Sequence, residues 1–67
     1  MANSVKERRK LLKMRVDELA ERAKVSPTFI YMIESGDRTP SLAAAGRIAR
    51  ALGTTVDALF WGHFHMA

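Results

Sequence analysis

Apolar and small residues fall at helical spacing in five segments of this chain, which predicts an all-α fold of short helices with no linker, repeat or low-complexity stretch between them. The first helix is expected from about Ser4 to Lys13, with Ser4 as its cap and Val5 and Leu12 facing the core at i and i+7. The second covers about Val16 to Ala23, where Leu19, Ala20 and Ala23 stand three and four apart and so share one face. Ala20 is small enough to let a third helix, about Pro27 to Ser35, cross close by, and Val25, Ile30 and Ile33 close the shared core. Ser26 followed by Pro27 is a strong helix start, because the hydroxyl accepts a first-turn N–H and proline lacks an N–H that would have been unpaired anyway. Gly36 suits a left-handed stop, followed by the loop Asp37, Arg38, Thr39, Pro40. A fourth helix follows, capped by Ser41, with an apolar stripe of Leu42, Ala45, Ile48, Ala49 and Leu52 that ends at Gly53. Gly46 in its middle implies close packing, since glycine there costs about 1 kcal/mol relative to alanine. Thr55 caps a fifth helix carrying Val56, Leu59, Phe60 and Trp61, which with its tail occupies 55–67.

Residues 16–35 therefore read as two short helices joined by a tight turn, the second offered outward, which is the layout of a helix-turn-helix. Three segments, DELAERAKVS, FIYMIESGDRTPSL and IARALGTTVDALF, carry a wider likeness. Through them the chain resembles the helix-turn-helix family of the Cro and phage-repressor type, also described as lambda-repressor-like or xenobiotic-response-element, over about Asn3 to Gly62. The resemblance implies a five-helix lambda-repressor-like DNA-binding domain. It also implies a sequence-specific regulator of transcription that takes double-stranded DNA as its partner.

Composition narrows the rest. Sixty-seven residues make one domain, 1–67, with no room for a separate ligand or catalytic domain, so no small-molecule ligand is expected. A single core is marginal below about 70 residues, which makes oligomerisation a natural added source of stability. With no cysteine, disulfides and thiolate metal sites are excluded. No segment approaches the ~20 apolar residues of a membrane span, and a cytoplasmic protein without membrane contact is expected. The net charge is +4, and six of the eleven basic residues (Lys6, Arg8, Arg9, Lys10, Lys13, Arg15) precede position 16, against the single acid Glu7. Such a field on one side of a small domain attracts a polyphosphate backbone, although a charge run is most often just a solvated face.

Ile30 and Ile33 point inward on the third helix, which leaves Pro27, Thr28, Tyr31, Met32 and Ser35 outside. In the resembled family, the first residues of this helix and those one turn later read base edges; here these are Pro27, Thr28, Tyr31 and Met32. Relatives often carry arginine or glutamine at the place of Met32. Without them, a reader of this kind leans on thymine methyls, water and DNA shape. Helix-terminal N–H groups near Val16 and from Pro27 to Phe29 suit phosphates, and Arg15, Ser26, Ser35, Arg38 and Thr39 are the side chains beside these ends. The family commonly has a polar cap and a glutamine where this chain has Arg15 and Val16, so one phosphate hydrogen bond is missing there. Phe29 either packs at the junction of the second and third helices or lies against the backbone of the nucleic acid, packing being the usual fate of a lone aromatic. Lys24 stands in the turn where relatives prefer glycine. A left-handed lysine there costs about 1 kcal/mol, and its ammonium is placed to reach a phosphate. Arg9 and Glu34 match a family ion pair that ties the reading helix to the scaffold.

Other chemistry is thin. Asp17, Glu18 and Glu21 form a solvated face rather than an acid and base pair, the four glycines are isolated, and no catalytic set is present. His63 and His65 form a His-x-His without an acidic or thiol partner, so no metal or cofactor is expected. Two function classes remain: a DNA-binding regulator of repressor or autoregulator type acting as a homodimer on a symmetric operator, and a protein-interaction module that keeps the fold and uses Tyr31 and Met32 or the aromatic C-terminus. For the homodimer, Leu59, Phe60, Trp61 and Phe64 are the expected interface, because one small core cannot bury four large apolar groups within six residues. The alternative is that Phe60 or Trp61 folds back over the first helix.

Overall fold

The computed structural model describes residues 2–64. It places five helices in chain order: α1 (Val5–Leu11), α2 (Val16–Ala23), α3 (Pro27–Ser35), α4 (Leu42–Ala51) and α5 (Val56–Phe60), with no strand among the described residues. α2 packs on both α3 and α4, α4 also meets α5, and α1 touches α3 and α5. The shared core is made of Val5, Met14, Leu19, Ala20, Ala23, Ile30, Ile33, Ala45, Ile48, Ala49, Leu52, Leu59 and Phe60. Among the described residues, no helix is long and apolar enough to cross a membrane.

The helix starts follow local chemistry. Ser26 Oγ accepts from Phe29 N–H at 3.1 Å, Ser41 Oγ from Ala44 N–H at 3.1 Å, and Thr55 Oγ1 from Ala58 N–H at 3.0 Å, as the sequence leads one to expect. Ser4 differs. Its hydroxyl donates to the Ala58 carbonyl of α5 at 3.1 Å, while Asn3 Oδ1 accepts the Val5 N–H at 3.1 Å. Ser4 has φ −109° and ψ 21°, away from the extended geometry of a capping residue, so the cap of α1 falls to its neighbour.

The first four helices end alike. Each has a left-handed residue (Lys13 φ 55°, Lys24 φ 59°, Gly36 φ 85°, Gly53 φ 65°) whose N–H bonds three residues back. The next N–H bonds five back: Met14 to Arg9, Val25 to Ala20, Asp37 to Met32 and Thr54 to Ala49. This is the Schellman arrangement, and it satisfies carbonyls that a helix end leaves open.

Side chains from distant elements complete these ends. Arg8 Nε donates to the Leu52 carbonyl at 2.9 Å, Arg47 Nε to Ala23 at 2.8 Å, and Asn3 Nδ2 to Ile33 at 2.9 Å. Each places a donor, in two cases a cation, where the helix dipole is negative. They also cross-link the bundle, because donor and acceptor belong to different elements.

Four expectations about the core are corrected. α1 stops at Leu11, so Leu12 is exposed and Met14, brought in by the left-handed Lys13, takes the core place. The inward turn of α1 after Val5 is occupied by the stems of Arg8 and Arg9, whose heads serve other helices. Leu42 is exposed, since the buried stripe of α4 begins only at Ala44. A Cβ on Gly46 would meet nothing within 4 Å, so close packing does not explain that glycine. Trp61 lies just past α5 in a left-handed conformation, φ 49°, rather than within the helix.

Candidate nucleic-acid interface

α2 and α3 form the expected pair, and burying Ile30 and Ile33 turns the opposite side of α3 outward. Pro27, Thr28, Tyr31, Met32 and Ser35 are all exposed there, Tyr31 to 61% and Met32 to 37%. Thr28, Tyr31, Met32 and Ser35 stand at i, i+3, i+4 and i+7, so they form one strip along the helix. Ser35 Oγ donates to the Met32 carbonyl at 3.1 Å, which commits its proton within the helix and leaves only an acceptor facing out.

α3 is held by its C-terminal half. Arg9 Nε donates to Glu34 Oε2 at 2.7 Å and Arg9 Nη2 to Glu34 Oε1 at 3.1 Å, the expected ion pair, with side chains only 12% and 6% exposed. Arg9 Nη1 also donates to the Met14 carbonyl at 2.9 Å, so one guanidinium ties α1, the following loop and α3 together. Donating hydrogen bonds to the Glu34 carboxylate raises the Arg9 pKa against the lowering effect of burial, with further help from the charge of Glu34 and from Tyr31. This arginine is therefore charged at any pH the protein meets.

An open groove of about 720 Å³ runs beside this pair, lined among others by Lys6, Arg15, Val16, Pro27, Tyr31 and Ser35. It joins α1, the start of α2 and the outer face of α3. Lys6, which the charge pattern alone shows only as part of a basic run, stands one turn before Arg9 on α1 and so lines this groove. At the start of α2, Glu18 Oε1 accepts the Arg15 N–H at 3.3 Å, but arginine has no acceptor to return a bond to the first turn. The amides there have no hydroxyl cap, unlike those of α3, α4 and α5. Arg15 itself forks onto Asp17 at 2.8 and 3.1 Å, an exposed pair that is worth little and opens readily.

The remaining phosphate candidates lie outside that groove. Lys24 is exposed and left-handed, as its place in the turn implied, and Ser26 and Thr39 are exposed. Phe29 is half-buried against the core, and the Arg38 guanidinium stands over its ring at 5.7 Å from the centroid. The ring thus packs and also holds an arginine beside the start of α3.

The C-terminal interface needs correction. Leu59 and Phe60 are each 1% exposed and belong to the core, because α5 turns them inward where it packs on α4 and α1; neither is available to a second chain. Phe64 is half-buried, edge-on to Phe60 with centroids 5.7 Å apart. Trp61, 62% exposed, is the large apolar group of that set left outside. His63 stacks edge-on against Phe64 at 4.9 Å, and His65 lies outside the described residues. Among the described residues, no three His, Asp or Glu side chains converge as a metal site would require.

Comparison with known proteins agrees with this geometry. The helix-turn-helix family of the Cro and phage-repressor type matches residues 5–59. The chain belongs to that family. A relative from Methanothermobacter thermautotrophicus, described as an uncharacterized HTH-type transcriptional regulator, is 47% identical over 53 residues, covering 79% of this chain and 77% of the relative.

Proposed function

We propose that this protein is a DNA-binding regulator of transcription, a repressor or autoregulator, that binds a two-fold symmetric operator in the cytoplasm as a homodimer of single-domain subunits. The observation that carries this reading is the exposed strip Thr28, Tyr31 and Met32 on a helix anchored from behind by Arg9 and Glu34, with Lys6, Lys24 and Arg38 around it. Lys6, Arg15, Lys24 and Arg38 serve phosphates, with the α2 amides near Val16 and the side chains of Ser26 and Thr39. α3 supplies base contacts from the major groove. Trp61 is the anchor of the proposed dimer, which would set two reading helices about one DNA turn, ~34 Å, apart. Binding is the whole activity in this reading, with no catalytic step and no cofactor.

Duplexes selected from a random pool provide the test. Arg38→Ala should weaken binding to two different selected operators by the same factor and flatten the salt dependence by about one unit of slope. Thr28→Ala or Tyr31→Ala should instead change which operator is preferred. Equal losses on both operators for all three variants would remove α3 as the reader. Binding that ignores salt would favour the protein-interaction class, for which the exposed Tyr31 and Met32 are the supporting feature.

A further inference from the structure

We propose that the base feature read by α3 is the C5-methyl group of a pyrimidine, so that 5-methylcytosine is accepted in place of thymine and cytosine methylation of an operator raises its affinity for this protein. The inference rests on α3 being the reading helix. Base identity is normally read by paired donors and acceptors from arginine, lysine, asparagine, glutamine or a carboxylate. None of these stands free on α3. Its single charged residue, Glu34, is 6% exposed and engaged by Arg9. The Ser35 proton is committed to the Met32 carbonyl. The nearest guanidiniums, Arg15 before α2 and Arg38 after α3, lie off the strip and belong with the phosphates in the proposed function.

What α3 does offer outward is a methyl and hydroxyl on Thr28, a ring on Tyr31 and a thioether on Met32. From Thr28 to Met32 the strip advances about 6 Å along the helix axis, close to two DNA steps of about 3.4 Å each. The apolar feature of the major groove at that scale is the thymine methyl. 5-Methylcytosine carries the same methyl on the same ring carbon. Thymine and 5-methylcytosine differ at the neighbouring position, an acceptor in one and a donor in the other. The hydroxyls of Thr28 and Tyr31 can donate or accept and so meet either. This face therefore separates methylated from unmethylated pyrimidines better than it separates thymine from methylated cytosine.

The experiment uses the unmodified protein and a duplex selected from a random pool. Each thymine of a half-site is replaced singly by deoxyuridine, which removes the methyl and nothing else. At one or two positions affinity should fall about four-fold, the worth of one buried methyl-sized group. A cytosine paired with guanine at those positions should also bind weakly, and 5-methylcytosine should restore affinity to within about two-fold of thymine. With Met32→Ala, at least one of the sensitive positions should become indifferent to the methyl, a loss of discrimination that general weakening would not produce. A selected duplex that binds tightly yet is insensitive to every uracil substitution would overturn the inference and leave the DNA-binding reading intact, as would 5-methylcytosine binding no better than cytosine. If no duplex is enriched from the pool, the DNA-binding reading fails and this inference falls with it.

Discussion

Glu34→Ala tests how α3 is fixed to the domain. The variant removes both carboxylate oxygens from a guanidinium that is 12% exposed, leaving Arg9 with the Met14 carbonyl at 2.9 Å. Breaking a buried pair in this way costs about 3–5 kcal/mol, because a charge is left without its partner. The retained carbonyl and the remaining access to water bring the expected figure to about 2–3 kcal/mol. A domain of this length has a total stability of about 3–10 kcal/mol, so the loss is a large share of it. Urea unfolding followed by helical circular dichroism measures the change, and the melting temperature should fall by roughly 10–20 °C. Glu34→Gln keeps the volume and one acceptor and should cost less. Replacing both partners with apolar residues, Arg9→Met with Glu34→Leu, should cost far less than the sum of the single changes, since no charge is then stranded. A loss below about half a kcal/mol for Glu34→Ala would refute the tie between α1 and α3.

Three further outcomes follow from the same structure. Gly46→Ala should stabilise by up to about 1 kcal/mol in urea unfolding, because the helix gains propensity and the new Cβ meets nothing within 4 Å; a lower midpoint would show hidden crowding. Lys24→Gly should stabilise the domain by about 0.5–1 kcal/mol by relieving a left-handed lysine, yet weaken duplex binding and flatten its salt dependence, two measurements moving in opposite directions. Trp61→Ala should leave the monomer folded, since that ring is outside the core, while raising the dimer dissociation constant and weakening operator binding together. Sedimentation at tens of micromolar checks it, and a clean monomer with and without Trp61 would exclude this residue as the basis of assembly.

What could be read from the sequence was local. Ser26 with Pro27, Ser41, Thr55, Gly36 and Gly53 announce helix ends because their backbone and hydroxyl chemistry acts within a few residues. Lys13 ends α1 by the same left-handed geometry, but a lysine carries no such mark, so the apolar pattern points to Leu12 for the core place that Met14 fills. The N-terminal charge run misled for a related reason. Arg8 and Arg9 read as part of a field facing a polyanion, whereas their partners lie 44 and 25 residues away and cap or clamp other helices. The Arg9 and Glu34 pairing came through the family resemblance; Arg8 with Leu52 and Arg47 with Ala23 had no such guide. At the C-terminus the small core takes in more large apolar groups than its size suggests. The helix α5 turns Leu59 and Phe60 inward and leaves Trp61, past its end, as the exposed member.

The two ends of α3 are treated differently by the fold, and the difference bears on recognition. At the C-terminal end, Asn3 donates to the Ile33 carbonyl and Arg9 grips Glu34, so the first residues of the chain and α1 both fix that end. At the N-terminal end, the cap is the helix's own Ser26, and Lys24, Pro27 and Thr28 are exposed. A reading element must be held firmly enough that its side chains arrive in register, and must have a face that nothing else in the domain covers. Clamping one end of α3 from behind meets the first need without intruding on the second. On the proposed function, an arginine withdrawn from the surface field would therefore still serve recognition. Arg9 is committed to Glu34 and the Met14 carbonyl, and so fixes the turn of α3 that follows Tyr31. On the proposed function, exposed cations such as Lys6, Arg15, Lys24 and Arg38 would then meet phosphates beside a helix whose orientation is already decided, which is the division of labour that backbone positioning and base reading require.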